Sequence, residues 1–228
     1  MAPKTLTCAL LFLVAGVAPG TADEATTSCA EQVAARIQSR YESVRDIVAD
    51  FEQSTRSVTL GNSALGSGEV TRGRVFLAKP GRMRWSYEEP QPSLVVTDGS
   101  TLWLYDPADK VVQRLPVSAG YLSGASLQFL LGEGVILDEF DVSVDDCSGE
   151  SVRLDLVPRE DKSYERIGLV AIAKTGEVVE TTIVDVLGNE TRVSFHNLRT
   201  NQDPDEALFR FEPPEGVRVI DLETQGTP

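Results

Sequence analysis

The sequence predicts a mainly β fold of the α+β class. We expect a single curved antiparallel sheet forming an unclosed half-barrel, covered by an N-terminal helix and a short inserted helical lid. Near the N-terminus a helical stripe gives way to period-two alternation, which continues through most of the chain. Turn sequences separate the alternating runs, and a second helical stripe interrupts them midway. Strands joined by short links curl, and curling without closure leaves a concave apolar face.

The first residues have the pattern of a secretory signal peptide. Lys4 precedes an apolar run at 10–17, and small residues ending at Ala22 follow at cleavage-like spacing. That run is shorter than the roughly 20 residues that a membrane-spanning helix needs. We therefore predict a cleaved signal at 1–22 and one soluble, exported domain at 23–228.

Two cysteines, Cys29 and Cys147, remain once Cys8 leaves with the signal. Pairing is the usual outcome in an oxidising compartment, and the chain-entropy model assigns roughly 4 to 5 kcal/mol to a loop of this length. We predict a disulfide, with two free thiols as the alternative. Cys29 follows threonines and a serine rather than a leucine-rich segment, so we expect no lipid anchor.

The segment that begins at Ser28 predicts an amphipathic helix. Its apolar residues recur at spacings of three and four: Val33, Ile37, Tyr41, Val44 and Ile47. Ser28 is the expected N-cap, because Glu31 follows three residues later as in a capping box.

Alternation then predicts eleven strands, with one helix inserted among them. The strands are expected at 48–58, 69–78, 82–87, 93–97, 101–105, 110–114, 139–144, 151–157, 165–173, 178–186 and 190–200. Between the sixth and seventh strands, Leu127, Leu130 and Leu131 recur at helical spacing, which predicts the short lid helix.

The strand at 82–87 alternates most clearly. One face carries Met83, Trp85 and Tyr87, and the other carries Arg82, Arg84 and Ser86. Met83 and Trp85 on the apolar face, together with Trp103 and Phe76 from other strands, have two interpretations. They pack as ordinary core beneath the helices, which is the usual role of such residues, or they line a partly filled cavity for an apolar ligand. Periodicity does not separate them.

The residues that catalysis requires are scarce. The only histidine, His196, lies in an alternating strand, and the sequence has no zinc-ligand cluster, phosphate-binding glycine loop or nucleophile elbow. The acidic pair Glu88 and Glu89 lies in a turn-like context, which favours a solvated surface over a catalytic dyad. We therefore predict no enzymatic activity, no cofactor and no metal.

The charge of the chain disfavours some partners. A formal net charge of −14 repels phosphate backbones and anionic membrane surfaces, so we expect no nucleic-acid partner. Four strand arginines are interpreted as solvated or paired with acidic neighbours rather than as a basic binding stripe: Arg72, Arg74, Arg82 and Arg84.

Four segments, taken together, point to a known family. They are Asp50-Phe51-Glu52-Gln53 after the opening helix, FLAKPGRMRWSYEEP at 76–90, TDGSTLWLYDP at 97–107 and FRFEPPEGVRV at 209–219. In this order they resemble the LolA family of periplasmic lipoprotein carriers of Gram-negative bacteria. The resemblance implies an unclosed half-barrel whose helices form a lid over its hollow, in agreement with the periodicities.

The resemblance also implies a binding site. The cavity residues expected from it are Ile37, Phe51, Phe76, Met83 and Trp85, with Leu127 and Leu130 from the lid. A basic residue before the proline of the second segment, commonly arginine, holds the lid shut in this family. Here that position is Lys79, which lacks the planar fork of an arginine and is expected to make a weaker or differently aimed latch.

The implied function is transport of acylated lipoprotein cargo through the periplasm by a protein expected to be monomeric. The implied partners are an inner-membrane lipoprotein-releasing ABC transporter and an outer-membrane acceptor lipoprotein. Two other functions stay open at this point. One is a carrier or sensor of the same fold for another lipid, a glycolipid or envelope stress, and the other is a secreted enzyme that uses an acidic pair.

Overall fold

The computed structural model describes residues 22–58, 68, 70–117 and 134–222, with side chains from residue 29 onwards. The helices that position the site are α1 (Ala22–Ser43), α2 (Ile136–Glu139) and the 3-10 helix η1 (Glu206–Phe209). The strands are β1 (Asp46–Arg56), β2 (Thr71–Ala78), β3 (Arg82–Glu89), β4 (Ser93–Asp98), β5 (Thr101–Asp106), β6 (Val111–Pro116), β7 (Phe140–Val144), β8 (Ser151–Pro158), β9 (Tyr164–Ile172), β10 (Val178–Asp185), β11 (Glu190–Thr200) and β12 (Arg218–Asp221).

These strands all belong to one open sheet, in the order β12-β6-β5-β4-β3-β2-β1-β11-β10-β9-β8-β7. Its edges, β12 and β7, do not pair with each other, which confirms the unclosed mainly β fold. All eleven predicted strands are present, with ends that differ by at most two residues from those expected. Alternation failed to reveal β12, because only four residues form it and it pairs in parallel with β6, unlike the antiparallel rest of the sheet.

The first helix corrects two details of the prediction. It begins at Ala22, so Ser28 lies inside the helix and is not its N-cap. The sequence Ala22-Asp23-Glu24-Ala25 suits this earlier start, since alanine and glutamate have high helix propensity. The helix ends at Ser43, and Ile47 belongs to β1 because strand alternation already begins at Asp46.

The inner face of the sheet is the one that packs against α1. The helical stripe predicted from the sequence is buried there, and Ala30, Ala34 and Ile37 have no exposed surface. They join one core cluster with inner-face residues such as Leu154 and Leu169. Helix α1 contacts the sheet mainly at β7, also contacts β8, and is hydrogen-bonded to the β9–β10 turn and to β10. We therefore call β7–β11 the closed half of the sheet and β2–β6 the open half.

Close approach between α1 and the sheet requires a glycine in the β9–β10 turn. Gly176 has φ of +69°, and a Cβ there would lie 2.8 Å from the carbonyl oxygen of Arg36. The Arg36 guanidinium hydrogen-bonds to the Ala173 carbonyl, and Val178 N–H donates to the Tyr41 hydroxyl at 3.2 Å. These contacts fix the second part of the helix to the closed half.

The inserted helix predicted at Leu127 and Leu130 lies outside the described residues. Just after it in the chain, α2 packs on the middle of α1. Gln38 donates to the Gly134 carbonyl at 3.3 Å and accepts from Ile136 N–H at 3.2 Å, so one side chain positions the start of α2.

A segment at 201–217, which we call the strap, crosses the outer face of the sheet from β11 to β12. Arg84 on that face donates to the Leu208 carbonyl at 3.2 Å, and the Arg82 guanidinium lies 5.3 Å from the centre of the Phe209 ring. Further along, Phe211 contacts the rings of Trp103 and Tyr105, at 6.4 and 5.6 Å between centres.

Beneath the strap lies a second apolar layer on the outer face. Its buried members, which stand outside the main core cluster, are Val48, Val96, Val112 and Phe209. Strand register places the first three on the face opposite α1. The open half is thus covered on its outer side by the chain's own C-terminal segment.

Candidate functional site

The inner face, where β1 and β11 meet the open half, carries a cluster of aromatic side chains that we call the aromatic floor: Phe51, Trp85, Tyr87 and Phe195. The Phe51 and Trp85 ring centres are 4.6 Å apart, and Tyr87 meets Phe51 edge-on at 5.2 Å. Phe195 approaches Trp85 at 6.4 Å. The register of β1, β3 and β11 brings these rings to one face, although Phe195 is distant from the others in the sequence.

Polarity changes along the strands of this face. Two residues beyond Trp85 on β3, the half-buried Tyr87 hydroxyl donates to Gln53 Oε1 at 3.1 Å, and burial raises the pKa of this phenol. In the other direction along β3, Met83 is aligned beside Leu77 and is buried like it. The inner face therefore has a polar rim at the Tyr87 end and an apolar, buried end at Met83.

The apolar surface continues across the open half towards β6. Register aligns Trp85 with Val95 on β4 and Leu104 on β5, and both of these aliphatic residues are only half-buried. A hollow of about 430 Å³ opens beside them, bordered also by Gln113, Arg218 and Ile220. This volume is in the range of small-molecule sites, and the lining has both apolar and polar members.

Trp85 has a polar atom without a partner. Its side chain is 5% exposed, and Nε1 is buried without a hydrogen bond to any residue that the structure describes. A buried indole N–H normally finds an acceptor, because leaving a donor unpaired away from water costs free energy.

The prediction that Phe76 lines the cavity is wrong. It aligns with Val48 on β1 and Arg84 on β3, whereas Val75 and Leu77 of the same strand are the buried inner-face residues. Phe76 is therefore on the outer face and does not line the inner one. The sequence segment 71–78 alternates untidily, and the small Gly73 and Ala78 hide which face is apolar.

The cationic and acidic residues of the strands form surface pairs. Arg74 contacts Asp50 at 2.9 Å and Arg72 contacts Glu52 at 2.8 Å, both across β1 and β2 on the outer face. Hydrogen bonds from Asn197 and then Arg74 hold the pKa of the Asp50 carboxyl below its usual range. As expected, these arginines are paired rather than free to form a basic stripe.

The acidic pair considered for catalysis is exposed at the surface. Glu88 and Glu89 are neighbours at the end of β3, where the pairing with β2 shifts register, and Glu89 lies 3.7 Å from Arg72. His196 aligns with Asp50 on the outer face. Within the described part of the chain, no cluster of three or more histidine, cysteine or acidic residues could hold a metal ion.

Comparison with known protein families identifies where this fold belongs. A family model described as outer membrane lipoprotein carrier protein LolA matches residues 42–212. The chain belongs to this family.

Relatives in the LolA family cover most of the chain. An outer-membrane lipoprotein carrier protein of Chromobacterium violaceum is 31% identical, over 92% of this chain and 96% of the relative. One of Alkalilimnicola ehrlichii is 32% identical, over 84% and 86%. An uncharacterized conserved protein of Thermus thermophilus has a similar solved structure, with a TM-score of 0.51 and 11% identity over 85% and 99% of the two chains. This last likeness concerns the fold alone.

Lys79, the residue that the sequence predicts as a lid latch, binds the end of the first helix. Its ammonium donates to the Tyr41 carbonyl at 2.7 Å and lies 3.5 Å from the Glu42 carbonyl. These are among the last carbonyls of α1, at the negative end of the helix dipole, and the Tyr41 carbonyl also accepts from Val44 N–H at 3.3 Å. Burial lowers the pKa of Lys79, while the nearby Glu42 carboxylate opposes that shift. The residue thus joins the β2–β3 turn of the open half to α1.

The structure joins Cys29 and Cys147 in a disulfide, with the two Cα atoms 6.6 Å apart. The bridge connects α1 to the loop after β7, at the edge of the closed half. None of the helices among the described residues is long and apolar enough to span a bilayer.

Three predicted cavity residues lie on the inner face, Phe76 lies on the outer face, and Leu127 and Leu130 lie outside the described residues. The three on the inner face are Phe51, Met83 and Trp85, as expected, while Ile37 is fully buried in the core between α1 and the sheet. Sequence reasoning did not include Phe195 in the cavity. It stands beside His196 in an alternating strand, and only the pairing of β1 with β11 shows which face it occupies.

Proposed function

We propose that this protein binds the acyl chains of lipoproteins on the inner face of its open half and carries them through the periplasm. Loading is from an inner-membrane lipoprotein-releasing ABC transporter, and delivery is to an outer-membrane acceptor lipoprotein. Membership of the lipoprotein-carrier family supports the cargo class. The members of this family are described as carriers rather than enzymes, and the absence of enzymatic activity in this chain stays a prediction.

The observation that carries the proposal is the apolar inner face that continues from the aromatic floor to β4 and β5. Burying hydrocarbon is worth about 0.8 kcal/mol per methylene, so one long acyl chain resists transfer through water by of order 10 kcal/mol. A protein face of this kind supplies the shielding that such a chain needs to cross an aqueous compartment. Half-buried Val95 and Leu104 mark where the face is least covered.

Release requires a competing state of the empty protein. A carrier that gained all of this burial energy on binding would hold its cargo too tightly to deliver it. If the empty protein closes its own apolar face, cargo binding must reopen it, and the affinity falls by the cost of opening. The bond from Lys79 to α1 is suited to this task, because it ties the covering helix to the open half without occupying the apolar face.

The decisive experiment offers the purified mature protein to inner-membrane vesicles that hold an acylated lipoprotein and its releasing transporter. We expect a soluble one-to-one complex with the lipoprotein after ATP addition, and no complex with a form of the cargo whose lipid-bearing cysteine is replaced by serine. Equal recovery of both forms, or of neither, would reject the proposal. Mass spectrometry of lipid extracted from the expressed protein would reveal a glycolipid cargo instead.

A matched pair of variants locates the site. Val95 and Val170 are both half-buried strand valines, but Val95 aligns with Trp85 on the inner face, and Val170 aligns with Arg153 and Glu180 on the outer face of the closed half. Val95→Asp is expected to weaken binding of a fluorescent fatty-acyl probe about 100-fold, because a carboxylate in the acyl site must be desolvated. Val170→Asp is expected to leave the affinity unchanged.

A further inference from the structure

Trp85 combines a position in the proposed acyl site with a donor that has no acceptor among the described residues. Within that part of the chain, three buried side-chain nitrogens lack a hydrogen-bond partner: those of Arg40, Arg82 and Trp85. The two arginines have other nitrogens that are bonded, to Glu177 and to the Lys79 carbonyl respectively. In Trp85 the unpaired Nε1 is the only polar atom of the side chain, so no described residue satisfies any part of the indole.

Trp85 lies between the polar rim and the buried end of the inner face, which is where the head of a bound acyl chain is expected. The polar rim formed by Tyr87 and Gln53 is two residues away, which is about 7 Å along the strand. On the other side the strand continues to Met83, which is aligned with buried Leu77. A lipid that enters over the rim and keeps its head group there would place the carbonyl at the head of its acyl chain near Trp85.

We propose that Trp85 Nε1–H donates a hydrogen bond to the carbonyl at the head of a bound acyl chain. This inference rests on the proposed function. An ester or amide carbonyl is the acceptor that every acyl chain carries where it joins its head group, and a plain hydrocarbon or an ether-linked chain has none. The donor thus becomes a selectivity element, which distinguishes acylated ligands from equally hydrophobic ones and fixes how deep the chain enters.

Such a bond is also compatible with unloading. In the loaded protein the ligand carbonyl satisfies the indole, and on release the donor loses that acceptor. Because it is a single neutral hydrogen bond, it orients the ligand while leaving most of the affinity to hydrocarbon burial. We therefore expect a modest effect on affinity and a clear effect on chemical selectivity.

The test compares two synthetic probes that differ only in the carbonyls. One is a fluorescent cysteinyl peptide with two palmitoyl esters on its glyceryl group, and the other carries two hexadecyl ethers. Wild-type protein is expected to bind the ester probe about fivefold more tightly, the size of one net hydrogen bond. Trp85→Phe, which keeps an aromatic ring but removes the N–H, is expected to bind both probes equally.

Controls separate this role from simple packing. Trp103→Phe removes the other tryptophan, which lies on the outer face against Phe211, and should retain the fivefold preference. If Trp85→Phe does not fold, replacing Trp85 with benzothienylalanine keeps the ring shape without the donor. In Trp103→Phe protein, the single remaining indole ¹H–¹⁵N resonance should move downfield with the ester probe and not with the ether probe.

The outcomes distinguish the two proposals. If wild-type protein binds neither probe, the proposed function fails. If it binds both equally, or if Trp85→Phe retains the preference, acyl binding stands and the role of the indole is rejected. A third probe, with ether-linked chains and an N-palmitoyl amide, assigns the acceptor when its affinities for wild-type and Trp85→Phe protein are compared: about fivefold tighter binding to wild type identifies the amide carbonyl, and equal binding identifies the esters.

Discussion

The closed half of the sheet buries Leu154, Ile167 and Leu169 completely in the core that it shares with α1. The open half also contributes buried residues to this core, among them Val75 and Leu102, but it leaves Val95 and Leu104 half-buried. Both halves have strands of similar length and alternation. What differs is the partner of the inner face, since the helix that covers one half is fixed there by a disulfide and several hydrogen bonds. If the open half is the acyl site that we propose, stability and binding are supplied by different parts of the same sheet, and substitutions in each should have different consequences.

The largest effect is expected from the bridge that holds α1 to the closed half. Its cysteines are 118 residues apart, and losing a disulfide of this loop length costs about 4 kcal/mol in the chain-entropy model. Cys29→Ser with Cys147→Ser should lower the free energy of unfolding by about that amount in a urea titration. A thiol assay on unreduced, denatured mature protein should find no free sulfhydryl, and two titratable thiols would show that the bridge is absent.

A pair of leucines compares the halves directly. Leu169 is fully buried in the closed half, and Leu104 is half-buried in the open half. Leu169→Ala should destabilise the protein by about 3 kcal/mol because it leaves a cavity, with little change in acyl-probe affinity once folded. Leu104→Ala should cost about 1 kcal/mol of stability and weaken the probe severalfold. Reversed effects would mean that the two halves have been assigned the wrong roles.

The junction between the halves depends on Lys79. Lys79→Met removes the donor to the Tyr41 carbonyl and should loosen the last turn of α1 by about 1 kcal/mol. We expect faster amide hydrogen exchange in that turn and slower transfer of cargo to an acceptor, because the empty closed state is weakened. Lys79→Arg keeps a donor and serves as the control; transfer by Lys79→Met at the wild-type rate would exclude a latch.

The smallest effect on stability is expected from Asp50, whose carboxylate lies on the outer face of β1, between the two halves. Its folded-state pKa is lowered by Asn197 and Arg74, so this group adds stability above the ordinary carboxyl pKa of about 3.9 and loses it as the pH falls through the lowered folded value. Solvent screening limits the gain to about 0.5 kcal/mol. Asp50→Asn should slightly flatten the loss of stability below about pH 4 in acid titrations.

Periodicity was sufficient for most of the fold and for part of the site. The eleven long strands and the helical stripe through Ile37 follow from local alternation, and so does the shared face of Met83, Trp85 and Tyr87. Phe76 was assigned to the wrong face because the small residues Gly73 and Ala78 in its strand hide which face is apolar. Once a strand's own alternation is ambiguous, only pairing with its neighbours sets its facing.

Non-local features were beyond reach of a single sequence. The strap places Trp103 against Phe211 on the outer face, although the sequence pattern favoured core packing of its ring beneath the helices. Phe195 joins the aromatic floor only because β11 pairs with β1. Both depend on which strands become neighbours, and no local pattern in the chain encodes that order.

The position of β12 has a consequence for how the molecule is made. Asp221 contacts Arg114 at 2.6 Å across 107 residues, and β12 reaches β6 only after the strap has crossed the sheet. Contacts this distant in sequence form slowly, and β12 emerges after every other strand of the sheet during synthesis and export. Until then β6 presents a bare backbone edge that other chains can pair with. Newly exported molecules truncated before Arg218 should therefore be prone to aggregation, even though every strand of the closed half is intact.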